Sequence, residues 1–239
     1  GTNADLTIAG DPVLSTGVLG SYAIDFDGTG DWIDTATANK GDWKFLHDSS
    51  DWSIGFWFKS SDGDSVGNNG LFATAYHDGQ QGLRLSAPWT TAEDNLRFHI
   101  YNTAGNGEAY ECNGNQYYID DGYWHHYLIT HSNANTITYY RDGGNAWTCS
   151  LKNNNFSQND PNYGLRIGAN TDGTGDINAE IDDAGIWNVT LDADDALALW
   201  ADGSGAEAST IPAGLKGYWN FEEIVSSTTV PNISTVSVI

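Results

Sequence analysis

The stretch Ala23-Ile-Asp-Phe-Asp-Gly-Thr-Gly-Asp-Trp-Ile33 is the most informative part of this sequence. Apolar Ile24 and Phe26 alternate with polar residues, and a repeat of two places both side chains on one face of a β-strand. The Asp27–Gly28 pair that follows is typical of a tight turn. The stretch therefore predicts a strand, a turn and the start of a second strand.

The same alternation recurs along most of the chain. Asp-Gly and Asn-Gly pairs separate the alternating segments, and this density of short strands and turns is typical of an antiparallel two-sheet sandwich or jelly roll. The sequence therefore predicts an all-β fold. The clearest alternating segments are 52–58, 96–100, 127–131, 137–141 and 165–167.

One short helix is predicted over residues 192–202. Asp192 suits the N-cap position, Ala and Leu follow it, and Gly203 is a residue that commonly ends a helix. Residues 204–213 are small and polar and predict a linker, and residues 214–239 supply a closing strand. Because sandwiches of this size often form one unit, we expect a single domain over residues 1–239.

The charge balance narrows the possible partners. The chain has 32 acidic residues against nine basic ones, a formal net charge of −23. Nucleic acids and anionic membranes need basic patches, so both are poor partners for this chain. No stretch of the sequence is apolar enough to insert into a membrane. Acidic side chains can instead supply the oxygen ligands that divalent cations prefer.

The two cysteines, Cys112 and Cys149, both lie in strand-like segments. A disulfide between neighbouring strands is one interpretation. Two buried free thiols are the other, and a count of two does not separate them.

Five segments, taken in order, resemble the laminin G-like family of concanavalin A-like jelly rolls. Residues 23–33 are similar to the family pattern SFDGxxDYV, and residues 52–59 to FTISAWVK. Residues 124–130 resemble WHHVAVT, residues 137–143 resemble VRLYVDG, and residues 181–188 with the helix after them resemble IDEVRIYNRALSAEEI. The resemblance implies a concanavalin A-like sandwich, and in most of this family the fold is a scaffold for interaction.

One family element is displaced in this chain. The strand that usually opens the domain, similar to LVAYWPFDE, is resembled here by residues 217–223, near the other end. In one interpretation this segment begins the next repeat of a tandem array. In the other, which we favour, it closes the sheet of its own chain, because a missing strand would leave an apolar edge open. A strand donated between copies would link subunits.

Asp182 is the leading candidate for a metal ligand. It shares a strand parity with Ala184 and Ile186, which the resemblance places on the inward face. A buried carboxylate needs a hydrogen bond, a charge partner or a metal, so the alternative is that Asp182 accepts N–H groups from a turn. By resemblance, the site would hold a structural Ca²⁺ with oxygen ligands from Asp27, Gly28, Asp31 and Glu222.

Catalysis is not expected. The run Glu180-Ile-Asp182 resembles part of the carboxylate motif of related glucanases, but Ala184 and Gly185 stand where the second catalytic Glu would be needed. The run also lies in a different strand from that motif. A retaining mechanism therefore lacks its second carboxylate, and no other nucleophile motif is present.

Sugar binding needs exposed aromatic rings and planar polar side chains. Loop-like segments supply such residues, so we predict a non-catalytic carbohydrate-binding or adhesion module on an extracellular, cell or virion surface. Its partner would be a glycan or surface polysaccharide. The alternative is a structural module that assembles with copies of itself through the C-terminal strand, as an adhesin repeat, fibre or decoration subunit. The predicted carbohydrate-binding residues are Tyr76, Asp78, Arg84, Trp89, Tyr117 and Tyr118.

Overall fold

A computed structural model describes residues 6–35, 37–60, 69–76, 80–87, 96–101, 112–113, 119–132, 136–150, 156–222 and 229–230. Within these ranges the chain is mostly β-structure with one α-helix, which confirms the all-β prediction. The strands are β1 (Leu6–Ala9), β2 (Val13–Thr16), β3 (Tyr22–Asp27), β4 (Trp32–Asp34), β5 (Trp52–Lys59), β6 (Gly70–Ala73), β7 (Gly82–Ser86), β8 (Arg97–Tyr101), β9 (Cys112–Asn113), β10 (His125–Ser132), β11 (Thr136–Arg141), β12 (Gly144–Ser150), β13 (Arg166–Ile167), β14 (Asn178–Trp187), β15 (Leu215–Trp219) and β16 (Thr229–Val230). The helix is α1 (Ala193–Trp200).

The strands form two antiparallel sheets. Sheet A has the order β16-β1-β4-β13-β6-β7-β8-β9. Sheet B has the order β12-β11-β10-β5-β14-β3-β2, with β15 also paired to β14. The predicted turn after Phe26 carries the chain from β3 of sheet B to β4 of sheet A, so this turn joins the two layers.

The main core fills the space between the two sheets. Ile24 and Phe26 both point into it, as their alternation predicts. Each fully buried aliphatic or aromatic side chain of this size stabilises the fold by about 1.5–3 kcal/mol through apolar burial. Other large members of this core are Trp52, Phe56, Phe58, Phe72, Phe98, Tyr127 and Trp219.

A second, smaller core lies on the outer face of sheet B, where α1 and the segment after it pack. Asp192 caps α1 as predicted, accepting from the N–H groups of Asp194 and Asp195. The helix ends earlier than predicted, because Ala201 adopts the left-handed conformation two residues before Gly203. This core contains Leu128, Trp187, Leu191, Ala196, Leu199, Ala208 and Tyr218.

The segment predicted as a linker, residues 204–213, is packed against the domain. It contains a 3₁₀ turn over Ala208–Thr210, and Ala208 is buried in the second core. Small side chains here allow close approach to sheet B, so small and polar composition alone was a misleading sign of a linker.

The last two described strands, β15 and β16, each join a sheet of the same chain. Strand β15 pairs with β14, with Ala184 opposite Trp219 and Trp187 opposite Leu215. Strand β16 pairs with β1 at the far edge of sheet A. The C-terminal segment thus adds a strand to each layer.

Cys149 is disulfide-bonded, so the free-thiol interpretation does not hold for it. It lies in β12, which forms one edge of sheet B. The other cysteine of the chain, Cys112, lies in β9 at an edge of sheet A rather than in a strand next to β12.

Candidate binding face and carboxylate clasps

Strands β3 and β15 share one edge of β14. Strand β3 pairs with the first half of β14, up to Ile181, and β15 pairs with the second half, from Ala184 onward. Between them the register of β14 against β5 shifts, and Asp183 takes a positive φ of 45°. A bulge of this kind re-aims the side chains on either side of it.

The bulge explains why the prediction that Asp182 points inward together with Ala184 and Ile186 was wrong. Asp182 lies opposite Trp57 of β5, whereas its neighbour Ile181 lies opposite Phe58 of the main core. Asp182 therefore faces the outer side of sheet B. Simple alternation would place Ile186, four residues after Asp182, on the same outer face. Ile186 instead faces the core, because the inserted residue interrupts the alternation.

Two carboxylates hold the loop between β2 and β3. Asp182 Oδ2 accepts hydrogen bonds from the backbone N–H groups of Val18 (2.8 Å) and Leu19 (3.0 Å). Glu222 accepts from the N–H groups of Ser21 (3.0 Å) and Tyr22 (3.2 Å). These N–H groups belong to the loop after β2 and to the first residue of β3, and the carboxylates supply their hydrogen-bond acceptors. The turn interpretation of Asp182 is therefore the one that the structure shows.

Burial raises the pKa of both carboxyl groups at the bulge. Burial, partly offset by the Leu19 and Val18 N–H groups, raises the pKa of Asp182 to about 6. Burial raises that of Asp183 to about 7, against the opposing effects of the nearby Tyr218 hydroxyl and of the hydrogen bond from the Ala208 N–H group. Asp183 thereby links sheet B to the packed segment around Ala208, where its Oδ2 accepts at 2.7 Å.

The five predicted calcium ligands do not form one site. Asp27, Gly28 and Asp31 lie at the turn after β3, where Asn178 of β14 is opposite Asp27. Asp182 lies four residues further along β14, about 13 Å away at the usual rise of a strand. At the turn, Asp31 accepts hydrogen bonds from the Asp11 (2.8 Å) and Asp27 (3.2 Å) N–H groups.

The carboxylates at both places are thus used to hold backbone N–H groups. In the described part of the chain, no three His, Cys, Asp or Glu side chains are grouped so that they could hold a metal ion. The predicted ligand set does not fit a calcium ion as a single site, and calcium binding itself stays a prediction.

The outer face of sheet A carries a row of five residues across five strands, four of them polar and one an alanine. Asp34 of β4 lies opposite Arg166 of β13, which lies opposite Ala73 of β6. Ala73 lies opposite Arg84 of β7, and Arg84 lies opposite His99 of β8. Neighbouring strands are about 4.8 Å apart, so the row spans roughly 19 Å. We call these five residues the polar row.

One end of the polar row is half-exposed and rigidly held. The Arg166 guanidinium lies over the Trp32 ring at 4.7 Å from its centroid. Arg166 Nη2 and Nε both donate to Asp34 Oδ2, at 2.8 and 3.1 Å, and Nη1 donates to the Asn170 carbonyl at 2.9 Å. A guanidinium held on three sides keeps one orientation, so this end of the row is preorganised.

The other end of the polar row contains Arg84, one of the predicted carbohydrate-binding residues, and Tyr76, a second one, lies against it. The Arg84 guanidinium lies 5.7 Å from the Tyr76 ring centroid and 5.9 Å from that of Tyr101. Arg84 also donates to the Tyr76 carbonyl oxygen at 3.3 Å. Tyr76 is half-buried, whereas Arg84 is only 2% exposed. The other predicted residues, Asp78, Trp89, Tyr117 and Tyr118, lie outside the described residues.

Several residues of this face were missed by the sequence analysis. Trp32, Asp34, Arg166 and His99 were not among the predicted site residues. Trp32 and Asp34 flank the core residue Ile33 in β4, so strand parity alone could have placed them on the outer face. Arg166 and His99 carried no such signal of proximity, because they come from strands far apart in the sequence.

The two antiparallel sheets with their intervening core define a jelly-roll β-sandwich. Residues 27–196 match the family described as the concanavalin A-like lectin/glucanases superfamily, in its laminin G group. This match covers well over half of the chain, so the chain belongs to that family. No curated protein sequence matches the chain significantly.

Solved structures share this fold at low sequence identity. The binding domain of paraclostridial mosquitocidal protein 1 superimposes with a TM-score of 0.61 at 17% identity, over 84% of this chain and 48% of that one. The binding domain of botulinum neurotoxin serotype D gives a TM-score of 0.59 at 15% identity, over 84% and 47%. A structure of botulinum neurotoxin type C, whose cell entry depends on interaction with two ganglioside molecules, gives a TM-score of 0.57 at 16% identity, over 84% and 47%.

The chain therefore spans about half the length of these toxin binding domains. The comparison shows the fold, and the binding residues must be argued from this chain itself. Among the described residues, no helix is long and apolar enough to cross a membrane.

Proposed function

We propose that this protein is a non-catalytic carbohydrate-binding module, and that the glycan binds on the outer face of sheet A at the Asp34–Arg166 end of the polar row, over Trp32. The observation that carries the proposal is the register of this row, which places an aromatic ring, a fixed guanidinium and a carboxylate side by side at its half-exposed end. Sugar sites combine such flat apolar surfaces with a few fixed polar groups.

Each group at the half-exposed end has a use toward a sugar. Trp32 is half-buried and offers apolar ring surface to the C–H groups of a pyranose. Asp34 uses Oδ2 for Arg166, and its Oδ1 accepts no hydrogen bond from the described residues, so it is available to a sugar hydroxyl. Because these groups already hold one another, little side-chain entropy would be lost on binding.

The related folds support the same class of function. The matched toxin structures are binding domains, and one of them, from botulinum neurotoxin DC at 15% identity and a TM-score of 0.55, is in complex with SialylT. A glycan partner on a cell or virion surface, and a secreted location, fit this comparison. The disulfide at Cys149 supports an oxidising, extracellular setting, since disulfides persist mainly there.

The proposal is tested by glycan-array binding followed by titration calorimetry on the best ligand. Trp32→Ala should weaken binding at least tenfold, and Trp32→Phe should restore much of it because the ring is kept. Tyr123→Ala is the matched control: Tyr123 is 71% exposed, but it lies on the loop that enters sheet B. Equal affinity of wild type and Trp32→Ala would refute binding at this face, and a wild type that binds no glycan would refute the function.

A further inference from the structure

The arrangement of side chains at the proposed sugar site occurs a second time, on the outer face of sheet B. Lys59 Nζ lies 5.5 Å from the centroid of the Trp124 ring, within the range of a cation–π contact. The same ammonium donates to Glu180 Oε1 at 2.6 Å. These three side chains repeat the combination that the first site has at Trp32: an indole ring, a cation over the ring and a carboxylate that holds the cation.

The strand register places these side chains on the solvent side of sheet B. Glu180 lies opposite Lys59. The residues next to them, Ile181 and Phe58, also form a pair and belong to the main core. Because side chains alternate along a strand, Glu180 and Lys59 face outward. The side chain of Lys59 is 32% exposed and that of Glu180 is 19% exposed, and Trp124 is half-buried, so a ligand can reach all three from solvent.

A second carboxylate extends this group onto the next strand. Asp25 of β3 lies opposite Glu180 and is half-buried. Ser15 Oγ donates to Glu180 Oε2 at 2.7 Å, so both carboxylate oxygens of Glu180 are occupied. In contrast, no described residue donates a hydrogen bond to the Asp25 side chain, and burial together with the adjacent Glu180 carboxylate raises the pKa of Asp25. Asp25 is therefore an acceptor available to a sugar hydroxyl, as Asp34 Oδ1 is at the first site.

We propose that this face of sheet B is a second sugar-binding site, formed by Trp124, Lys59 and Asp25, so that one module binds two glycan chains. The inference rests on the proposed function and adds a site to it. The group reaches from β3 across β14 and β5 to the residue before β10, about 14 Å at the usual strand spacing, which suits a short oligosaccharide. The outer faces of the two sheets point in opposite directions, so the module would bridge two glycans.

The second site should be the weaker of the two. The Arg166 guanidinium donates three hydrogen bonds and lies 4.7 Å from its ring centroid, whereas the Lys59 ammonium has one carboxylate partner and lies at 5.5 Å. An ammonium on a flexible stem lacks the planar fork and loses more freedom when a ligand fixes it. We therefore expect the affinity to be at least tenfold lower, so that Trp32→Ala leaves this weaker site.

The first experiment counts the sites on each chain by calorimetry with lactose, sialyllactose, cellotriose and mannotriose. The tightest of these sugars should occupy two sites on wild type, one of them at least tenfold weaker. Trp124→Ala should remove only the weak site, and Trp124→Phe should keep it because an aromatic ring remains. Tyr123→Ala is the matched control, at the exposed neighbour on the same loop, and should leave both sites unchanged.

The second experiment measures bridging. Beads coated with the same sugar should be aggregated by wild type, because each module holds two chains. Trp32→Ala and Trp124→Ala should each bind the beads through the remaining site without aggregating them.

The outcomes separate this inference from the proposed function. A wild type with a single site, or a Trp124→Ala variant that keeps both sites, would overturn the inference while binding at Trp32 stands. Loss of the tight site in Trp124→Ala would mean that Trp124 supports the fold rather than a ligand, and it would overturn the inference as well. If wild type binds none of these sugars, both proposals fail together.

Discussion

His126 offers a sharp test of the electrostatics of sheet B. Its ring is buried on the outer face against the edge of Trp57, at 5.4 Å between centroids. Its backbone N–H donates to Asp142 Oδ1 at 3.0 Å, so its position is fixed from the backbone side as well. Replacing it by Phe keeps an aromatic ring and removes the group that takes up a proton.

The size of the effect follows from the pKa of the ring. Burial, only partly opposed by Asp142, lowers the pKa of His126 from 6.5 to about 4. The unfolded chain therefore binds this proton more readily than the folded one, and stability is lost as the pH falls from 6.5 to 4. Each unit is worth 1.36 kcal/mol, so wild type should lose about 3 kcal/mol over this interval through His126. His126→Phe should not lose this part.

The assay is urea unfolding followed by tryptophan fluorescence between pH 4 and pH 8. The difference in unfolding free energy between His126→Phe and wild type should stay constant above pH 7 and should shift in favour of the variant by about 3 kcal/mol near pH 4. A difference that does not change with pH would refute the burial of a neutral imidazole at this place.

Asp182→Asn provides a control of opposite sign. Burial raises the pKa of Asp182 from 3.8 to about 6, so the stability that its protonated form contributes is lost as the pH rises through this range. Relative to wild type, the amide variant should therefore gain about 3 kcal/mol between pH 4 and pH 7. If the unfolding free energies of both variants, relative to wild type, changed in the same direction with pH, the cause would be a general effect of acid on the fold rather than the titration of these two groups.

Gly185→Ala should destabilise the fold by about 1–3 kcal/mol in urea unfolding, because its Cβ would lie 2.7 Å from that of buried Ala208; Gly144→Ala, with no atom within 4 Å of its Cβ, should change stability by less than about 0.5 kcal/mol. Equal effects would argue against tight packing there. Leu199→Ala should cost about 2–4 kcal/mol by leaving a cavity under the helix, measured in the same way; a loss below 1 kcal/mol would mean that the helix packs loosely. Cys149→Ser should lower stability by about 2–4 kcal/mol without altering sugar affinity, and reduction of wild type should reproduce the loss; no change in either case would exclude a stabilising disulfide.

Much of the architecture was predictable from local patterns. Alternation at Ile24 and Phe26 placed both in the core, and the N-cap of Asp192 placed the start of the helix. These features depend on neighbours within a few residues, so sequence reasoning reaches them. The residue at which the helix ends was missed, because Ala201 adopts a conformation that glycine favours and only packing selects.

The candidate sites were predictable only in part. Asp182 was rightly expected to need a partner, but its direction was wrong because one inserted residue at Asp183 reverses the alternation of β14. Tyr76 and Arg84, two of the predicted carbohydrate-binding residues, lie in contact, because β7 runs back antiparallel to β6, which ends just before Tyr76. Asp182 and Asp27 were expected to lie in one site. They do not, because Asn178, which pairs with Asp27, lies four residues before Asp182 on β14.

By itself, the sequence determined the class of fold, the family and the chemical types of side chain available for binding. These follow from periodicity, turn residues and ordered motifs, all of which are local. Only the tertiary structure decided that Arg166, Arg84 and His99 stand in one row with Asp34, because the hydrogen-bonded register between strands distant in sequence sets which side chains are neighbours. It likewise decided that Asp182 and Glu222 hold the loop between β2 and β3, since both carboxylates come from segments more than 150 residues further along the chain.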